Sequence, residues 1–258
     1  VMLLGAALYT VLVWWLSTGV ILYLNGLPRE RHPALMAVAT VLLGVALCGV
    51  SATAADTGVG GAYLAFSATI AVWGWQELGF LLGYVTGPRR IACPAGARGW
   101  QRLRHALMAI LYHELALIAL GAAVLALTWQ QPNPVALWTF VVLWVMRTSA
   151  KLNVFLGVRN LSESFLPAHL RYLHSYFRQR PGNALFASSV IASTGVAVAV
   201  WDIAAAPDAT PYQASAAALV AMLLSLAVLE HWFMVLPLPS ERLWRWGLRS
   251  REGHTPPA

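Results

Sequence analysis

The chain has 258 residues, of which 59% are hydrophobic and only 10% charged, with a mean hydropathy of +0.65. Soluble domains carry about 25% charged residues, so composition excludes an ordinary water-soluble domain and points to an integral membrane protein. The net charge of +7 and pI of about 9.9 do not indicate nucleic acid. Apart from Arg147 and Lys151, the 17 Lys and Arg fall in interhelical loops and near the C-terminus, which is the footprint of membrane orientation rather than of a DNA-binding face.

Seven apolar spans are predicted, at about 2–24, 34–55, 61–85, 105–128, 135–158, 184–206 and 212–236. The predicted fold class is therefore all-α, a polytopic membrane helical bundle with about seven transmembrane helices. The first span lacks a basic leader and is followed by Pro28-Arg29-Glu30-Arg31, so it reads as a span and not as a cleaved signal peptide. Basic residues then occur in alternate connections. Loop 25–33 carries Arg29 and Arg31, and loop 86–104 carries Arg89, Arg90, Arg98, Arg102 and Arg104. Segment 159–183 carries Arg159, Arg171, Arg178 and Arg180, and the end of the chain Arg242, Arg245, Arg249 and Arg251. The intervening loops 56–60, 129–134 and 207–211 have no Lys or Arg and are short and turn-like. The positive-inside rule then places the N-terminus outside and the C-terminus in the cytoplasm. The expected organisation is one transmembrane domain over 1–240 and a cytoplasmic tail over 241–258.

Two segments on the basic side read as amphipathic. Over 167–180, Leu170, Leu173, Tyr176 and Phe177 oppose Arg171, His174, Arg178 and Arg180, which predicts a helix lying at the membrane surface. The tail starts in the same style, with Trp244 and Trp246 among arginines, and is expected to end disordered. Most of the 12 tryptophans lie near span ends, as interfacial anchors do. Cys48 and Cys93 fall in an apolar span and a basic loop and are poorly placed to pair.

The most informative stretch is the fifth span, where Arg147 and Lys151, the one Lys of the chain, lie one turn apart on the same face. A charge near mid-bilayer costs about 3 kcal/mol on insertion scales, so these two require partners. Counting along helices of alternating direction puts Glu77, His113, Glu114, Glu230 and His231 in the same slab, approximately 8–17 Å from the inner surface. Asp202, near the outer end of span 6, is outside it. Spans 3, 4, 5 and 7 are expected to pack around this layer.

Three chemistries fit such a layer. The first is a structural ion-pair network, with Glu77, Glu114 and Glu230 satisfying Arg147 and Lys151. In the second, His113 or His231 is the axial ligand of a tetrapyrrole metal while Arg147 and Lys151 hold an anionic group of the same cofactor. The third is a transition-metal site using Glu77, Glu114 and Glu230 with the histidines. The last departs from the usual Glu-x-x-His spacing. His113-Glu114 and Glu230-His231 are adjacent pairs, and adjacent residues project about 100° apart on a helix. Other polar residues read more plainly: His169 and His174 as surface groups, Glu163 as a helix-dipole partner, His105 as a headgroup contact, and Asn153 and Asn160 as loop-satisfying groups. Trp73, Trp75, Phe80 and Tyr84 read as packing or lipid-facing aromatics.

The runs WTFVVLWVMRTSAKLNVFLGVRN and FLPAHLRYLHSYFRQR, with WGWQELGFLLGYVTGPRR and LYHELA, resemble the PuhE family of photosynthetic-complex assembly proteins over about residues 70–190. The seven-span layout agrees along the whole chain. The resemblance implies a protein of the bacterial inner membrane that helps to build the reaction centre and its light-harvesting complex, or adjusts bacteriochlorophyll supply to that assembly. Implied partners are the lipid bilayer and reaction-centre or light-harvesting subunits, with no nucleic acid. The family carries over no catalytic residue. The alternative is an intramembrane metal-dependent enzyme acting on a pigment or lipid-soluble substrate.

Overall fold

The computed structural model describes residues 2–161 and 165–252. Long helices occupy each predicted span: α1 (Met2–Asn25), α2 (His32–Thr53), α3 (Val59–Leu81), α4 (Gly99–Thr128), α5 (Val135–Leu156), α6 (Ala184–Ala204) and α7 (Pro211–Phe233). A short α8 (Arg245–Glu252) follows. Local chemistry marks the ends. The α7 N-terminus is a capping box in which Thr210 and Gln213 satisfy each other's backbone N–H groups, with Pro211 at the first position. Asn183 caps α6 by accepting from the Phe186 N–H. α3 ends where Gly83 turns left-handed at φ +88°. The Gly83 and Tyr84 N–H groups then close back on the Phe80 and Gly79 carbonyls, the Schellman arrangement.

Among the described residues, six segments are long and apolar enough to cross a membrane: α1, Arg29–Thr53, α4, α5, α6 and α7. The protein is thus a multi-pass helical membrane protein. α3 falls short of that apolarity, and its position explains why. It packs against α1, α2, α4, α5 and α7, so most of its surface meets protein rather than lipid. Ala62, Phe66, Val72 and Gln76 are fully buried along it. α7 is the other inner helix, touching α1, α3, α5 and α6, with small buried residues Ala214, Ser215, Ala218 and Ala221 that let neighbours approach. The main core gathers around these two helices, centred on Phe66, Leu117, Phe140 and Leu219.

Several boundaries differ from expectation. α4 begins at Gly99, so Arg102 and Arg104 stand on its first turns and not in a loop. Its 30 residues span about 45 Å, more than the roughly 30 Å of hydrocarbon. The segment expected as a surface α-helix over 167–180 is a 3-10 helix, Ala168–Tyr176. Leu170, Leu173 and Tyr176 recur every third residue, the 3-10 period, and dock against Phe80, Leu81 and Ala109. Nor does the tail leave the bundle: Ser240–Trp244 is a 3-10 turn and α8 runs along α1. Glu163 lies outside the described residues, as does the chain beyond 252.

Candidate functional site

α5 organises the polar layer because its residues face three neighbours. Arg147 and Lys151 share one face. Arg147 Nη2 donates to Glu77 Oε2 of α3 at 3.1 Å, and Lys151 Nζ donates to Glu114 Oε1 of α4 at 2.5 Å. The Lys151 and Glu114 side chains are both 23% exposed, whereas in the other pair the cation Arg147 is 42% exposed and the carboxylate Glu77 13%. Each pair is neutral as a unit, and each ties α5 to a different helix. Pairing removes most of the cost of placing a charge in an apolar slab.

Glu230 does not take a cation directly. Its Oε1 accepts from the Trp14 indole at 2.7 Å, while remaining close enough to Arg147 and Glu77 to interact with both charges. The expectation that three carboxylates share two cations is corrected to two pairs and a third carboxylate held by α1. Nothing in the spacing of the sequence singles out Trp14, since the contact joins the first helix to the last long one.

The two histidines have different surroundings. His231 is buried, with both ring nitrogens engaged. Nδ1 meets the Ala227 carbonyl at 2.9 Å and Nε2 meets Ser149 Oγ at 2.9 Å. A carbonyl can only accept, so Nδ1 carries the proton and Nε2 of the neutral ring accepts from Ser149. Binding a metal through Nε2 would require Ser149 to leave. Ser149 is further steadied by Asn153, which donates to its carbonyl. His113 is 1% exposed, and its Nδ1 has no hydrogen-bond partner among the described residues. Its ring lies 4.6 Å from that of Phe80. One turn along α3 from Phe80, the fully buried Gln76 amide is also without a partner. Among the described residues, no group of three or more His, Cys, Asp or Glu comes together to hold a metal ion.

The aromatic residues flanking the layer pack. Trp73 meets Phe140 edge-on at 5.6 Å, and Trp75 donates to Thr40 Oγ1. Tyr84 is half-exposed on the basic side. Asn160 donates to the Phe233 carbonyl and also bonds the Leu236 carbonyl, closing the end of α7. Cys48 and Cys93 are free thiols.

A second polar cluster, which spacing does not reveal, staples the basic end. Arg102 is 5% exposed. Its two terminal nitrogens both donate to the Phe155 carbonyl at 3.1 Å, and Nη2 also bonds the Tyr176 carbonyl. The guanidinium lies 3.9 Å from the centre of the Phe155 ring. Arg89 Nε donates to the Tyr176 hydroxyl, which donates in turn to the Ile91 carbonyl. At the opposite end Asn133 does the corresponding work. Its amide donates to the Thr53 and Asp56 carbonyls, and its Oδ1 accepts from Tyr212.

Comparison with known proteins adds family membership. A family described as "Protein of unknown function (DUF3623)" matches residues 1–255. The chain is also 41% identical over 252 residues to the "Uncharacterized 30.4 kDa protein in puhA 5'region" of Rhodobacter capsulatus, an alignment covering 95% of this chain and 91% of that protein. No solved structure matches. With the family match extending over nearly its full length, the chain belongs to the DUF3623 family.

Proposed function

We propose that this protein is a PuhE-type factor of the bacterial cytoplasmic membrane that assists the assembly of photosynthetic reaction-centre and light-harvesting complexes. The observation that carries the reading is the 41% identity to the Rhodobacter capsulatus protein named for the puhA 5' region, alongside the resemblance of the central runs to the PuhE family. In this reading α3 is a seventh span, the N-terminus is outside, and the basic connections and α8 face the cytoplasm. A membrane-impermeant maleimide should then label Cys93 in the Cys48→Ser protein only from the cytoplasmic side. Labelling only from the outside would reverse the orientation.

The polar layer acts as a charge-paired register in this account. The Glu77–Arg147 and Glu114–Lys151 pairs fix α3, α4 and α5 relative to one another, so that the bundle presents a defined surface to assembling subunits. A second reading, transient binding of bacteriochlorophyll, is favoured by the unpartnered Nδ1 of buried His113 and is less suited to His231, whose ring is engaged on both sides. Absorption spectra of protein purified in mild detergent from a pigment-producing host separate the two. The register reading expects no stoichiometric tetrapyrrole band. A band that His113→Ala abolishes would establish the pigment reading instead.

A further inference from the structure

Where the ends of α2 and α3 meet the Ala168–Tyr176 segment, the fold forms a half-open cavity of about 380 Å³. Its polar lining comes from Arg29, His32, Thr86, Arg90, His169 and Tyr172, and no lining residue is acidic. Arg29 and Arg90 are exposed at the mouth, and neither forms an ion pair among the described residues. Deeper in, three buried polar atoms have no hydrogen-bond partner among the described residues: Thr86 Oγ1, Tyr172 Oη and His169 Nε2. Thr86 is 1% exposed. The Tyr172 hydroxyl lies close enough to Thr86 for the two to interact, though neither oxygen completes a hydrogen bond with a described residue. Buried polar groups left unsatisfied are unfavourable, so their convergence in one cavity marks a place built for a further acceptor.

Gly83 makes the cavity possible. Its left-handed φ of +88° turns the chain away from α3, and a Cβ there would stand 3.2 Å from His169 Nε2. Tyr84, half-exposed, adds an apolar wall at the rim.

We infer that this cavity binds a phosphate ester of net negative charge, its oxygens accepting from the Thr86 and Tyr172 hydroxyls and its charge met by Arg29 and Arg90. Tetrahedral oxyanions suit this donor set, because two guanidinium groups offer forked N–H pairs and hydroxyls complete the shell. The inference does not depend on the role proposed above. A phosphate ester can come from an anionic membrane lipid or from a soluble phosphorylated compound, and the test distinguishes them.

The full chain in detergent would be titrated with dihexanoyl phosphatidylglycerol, with inorganic phosphate, and with zwitterionic dihexanoyl phosphatidylcholine as reference, and binding followed by ³¹P NMR line broadening. Phosphatidylglycerol is expected to bind at least about tenfold more tightly than phosphatidylcholine, and Arg29→Gln/Arg90→Gln should lose about tenfold. Thr86→Val, which preserves shape and removes the orphan hydroxyl, should also weaken binding severalfold with unchanged helical circular dichroism. Competition by inorganic phosphate at comparable concentration would assign the site to soluble phosphates. Equal binding of the two lipids without phosphate competition, or undiminished binding in both the double-arginine and Thr86 variants, would overturn the inference.

Discussion

At the scale of single residues, the Lys151–Glu114 pair is the sharpest object in the layer, short and mostly enclosed. Glu114→Gln would leave an ammonium in an apolar slab, and we expect a loss of roughly 1–3 kcal/mol, between the values for exposed and fully buried pairs. Lys151→Gln in the same background should recover part of it. A double-mutant cycle read by unfolding in mixed micelles should therefore give a coupling above about 0.5 kcal/mol, and additive single effects would contradict the pairing. His169 supplies a pH signature. Burial, foremost, and then the Arg29 charge hold its imidazole below the ordinary histidine value; the hydrogen bond to the Leu81 backbone acts against them, and His32 and Arg90 add smaller pushes downward. A folded-state value below the unfolded one means that acidification protonates the unfolded chain first. The stabilisation is then complete above the unfolded value, about 6.5, and declines as the pH falls from there through the folded value. His169→Asn should flatten the drop in Tm between pH 7.5 and pH 5.5. An unchanged drop would remove His169 as its source.

Among elements, the arginines separate what a sequence conveys from what it conceals. Arg89, Arg102 and Arg251 all read as positive-inside residues, yet each is a structural donor. Arg102 joins the start of α4 to the end of α5 and to the 3-10 segment. Arg102→Ala would leave the Phe155 and Tyr176 carbonyls short of a donor, and we expect a loss of about 2–4 kcal/mol in the same unfolding assay. An effect under about 0.5 kcal/mol would mean that the staple is dispensable. α8 is held by close approach to α1. A Cβ on Gly19 would overlap the Trp246 ring at 2.0 Å. Trp15 donates to the Leu243 carbonyl, Trp244 to the Trp15 carbonyl, and Arg251 to Asn25. Gly19→Leu should therefore release α8 and let trypsin cut its backbone at Arg245, Arg249 and Arg251, whereas the docked native helix should resist. Equal cleavage of both proteins would contradict the docking. The tail's composition, Trp among Arg, suggested a membrane surface as readily as a partner helix. The two small residues that decide the matter, Gly19 and Gly247, lie far apart in the chain.

For the whole molecule, helix positions were legible because apolar runs and turn chemistry agree, as at Thr210-Pro211, although the third apolar run continues to about 85, past the turn at Gly83 that ends α3. Counting turns to a common depth places Glu77, Glu114, Arg147 and Lys151 in one layer but does not say which carboxylate meets which cation; the fold supplies the Arg147–Glu77 and Lys151–Glu114 pairs. Depth alone does not give rotation about each helix axis, which is why Glu230 was grouped with the cations and instead meets Trp14. The basic-end cavity was not legible at all, since its walls come from segments joined only by the fold. α3 illustrates the same limit from the other side: less apolar than the lipid-facing helices, it is tolerated because five neighbours enclose it.

A role in building photosynthetic complexes would show first in the near-infrared absorption of membranes from a pigment-producing bacterium lacking this gene. We predict that the reaction-centre and light-harvesting bands fall severalfold relative to total pigment and recover when the gene is restored. Bands of undiminished height at equal pigment content would contradict it.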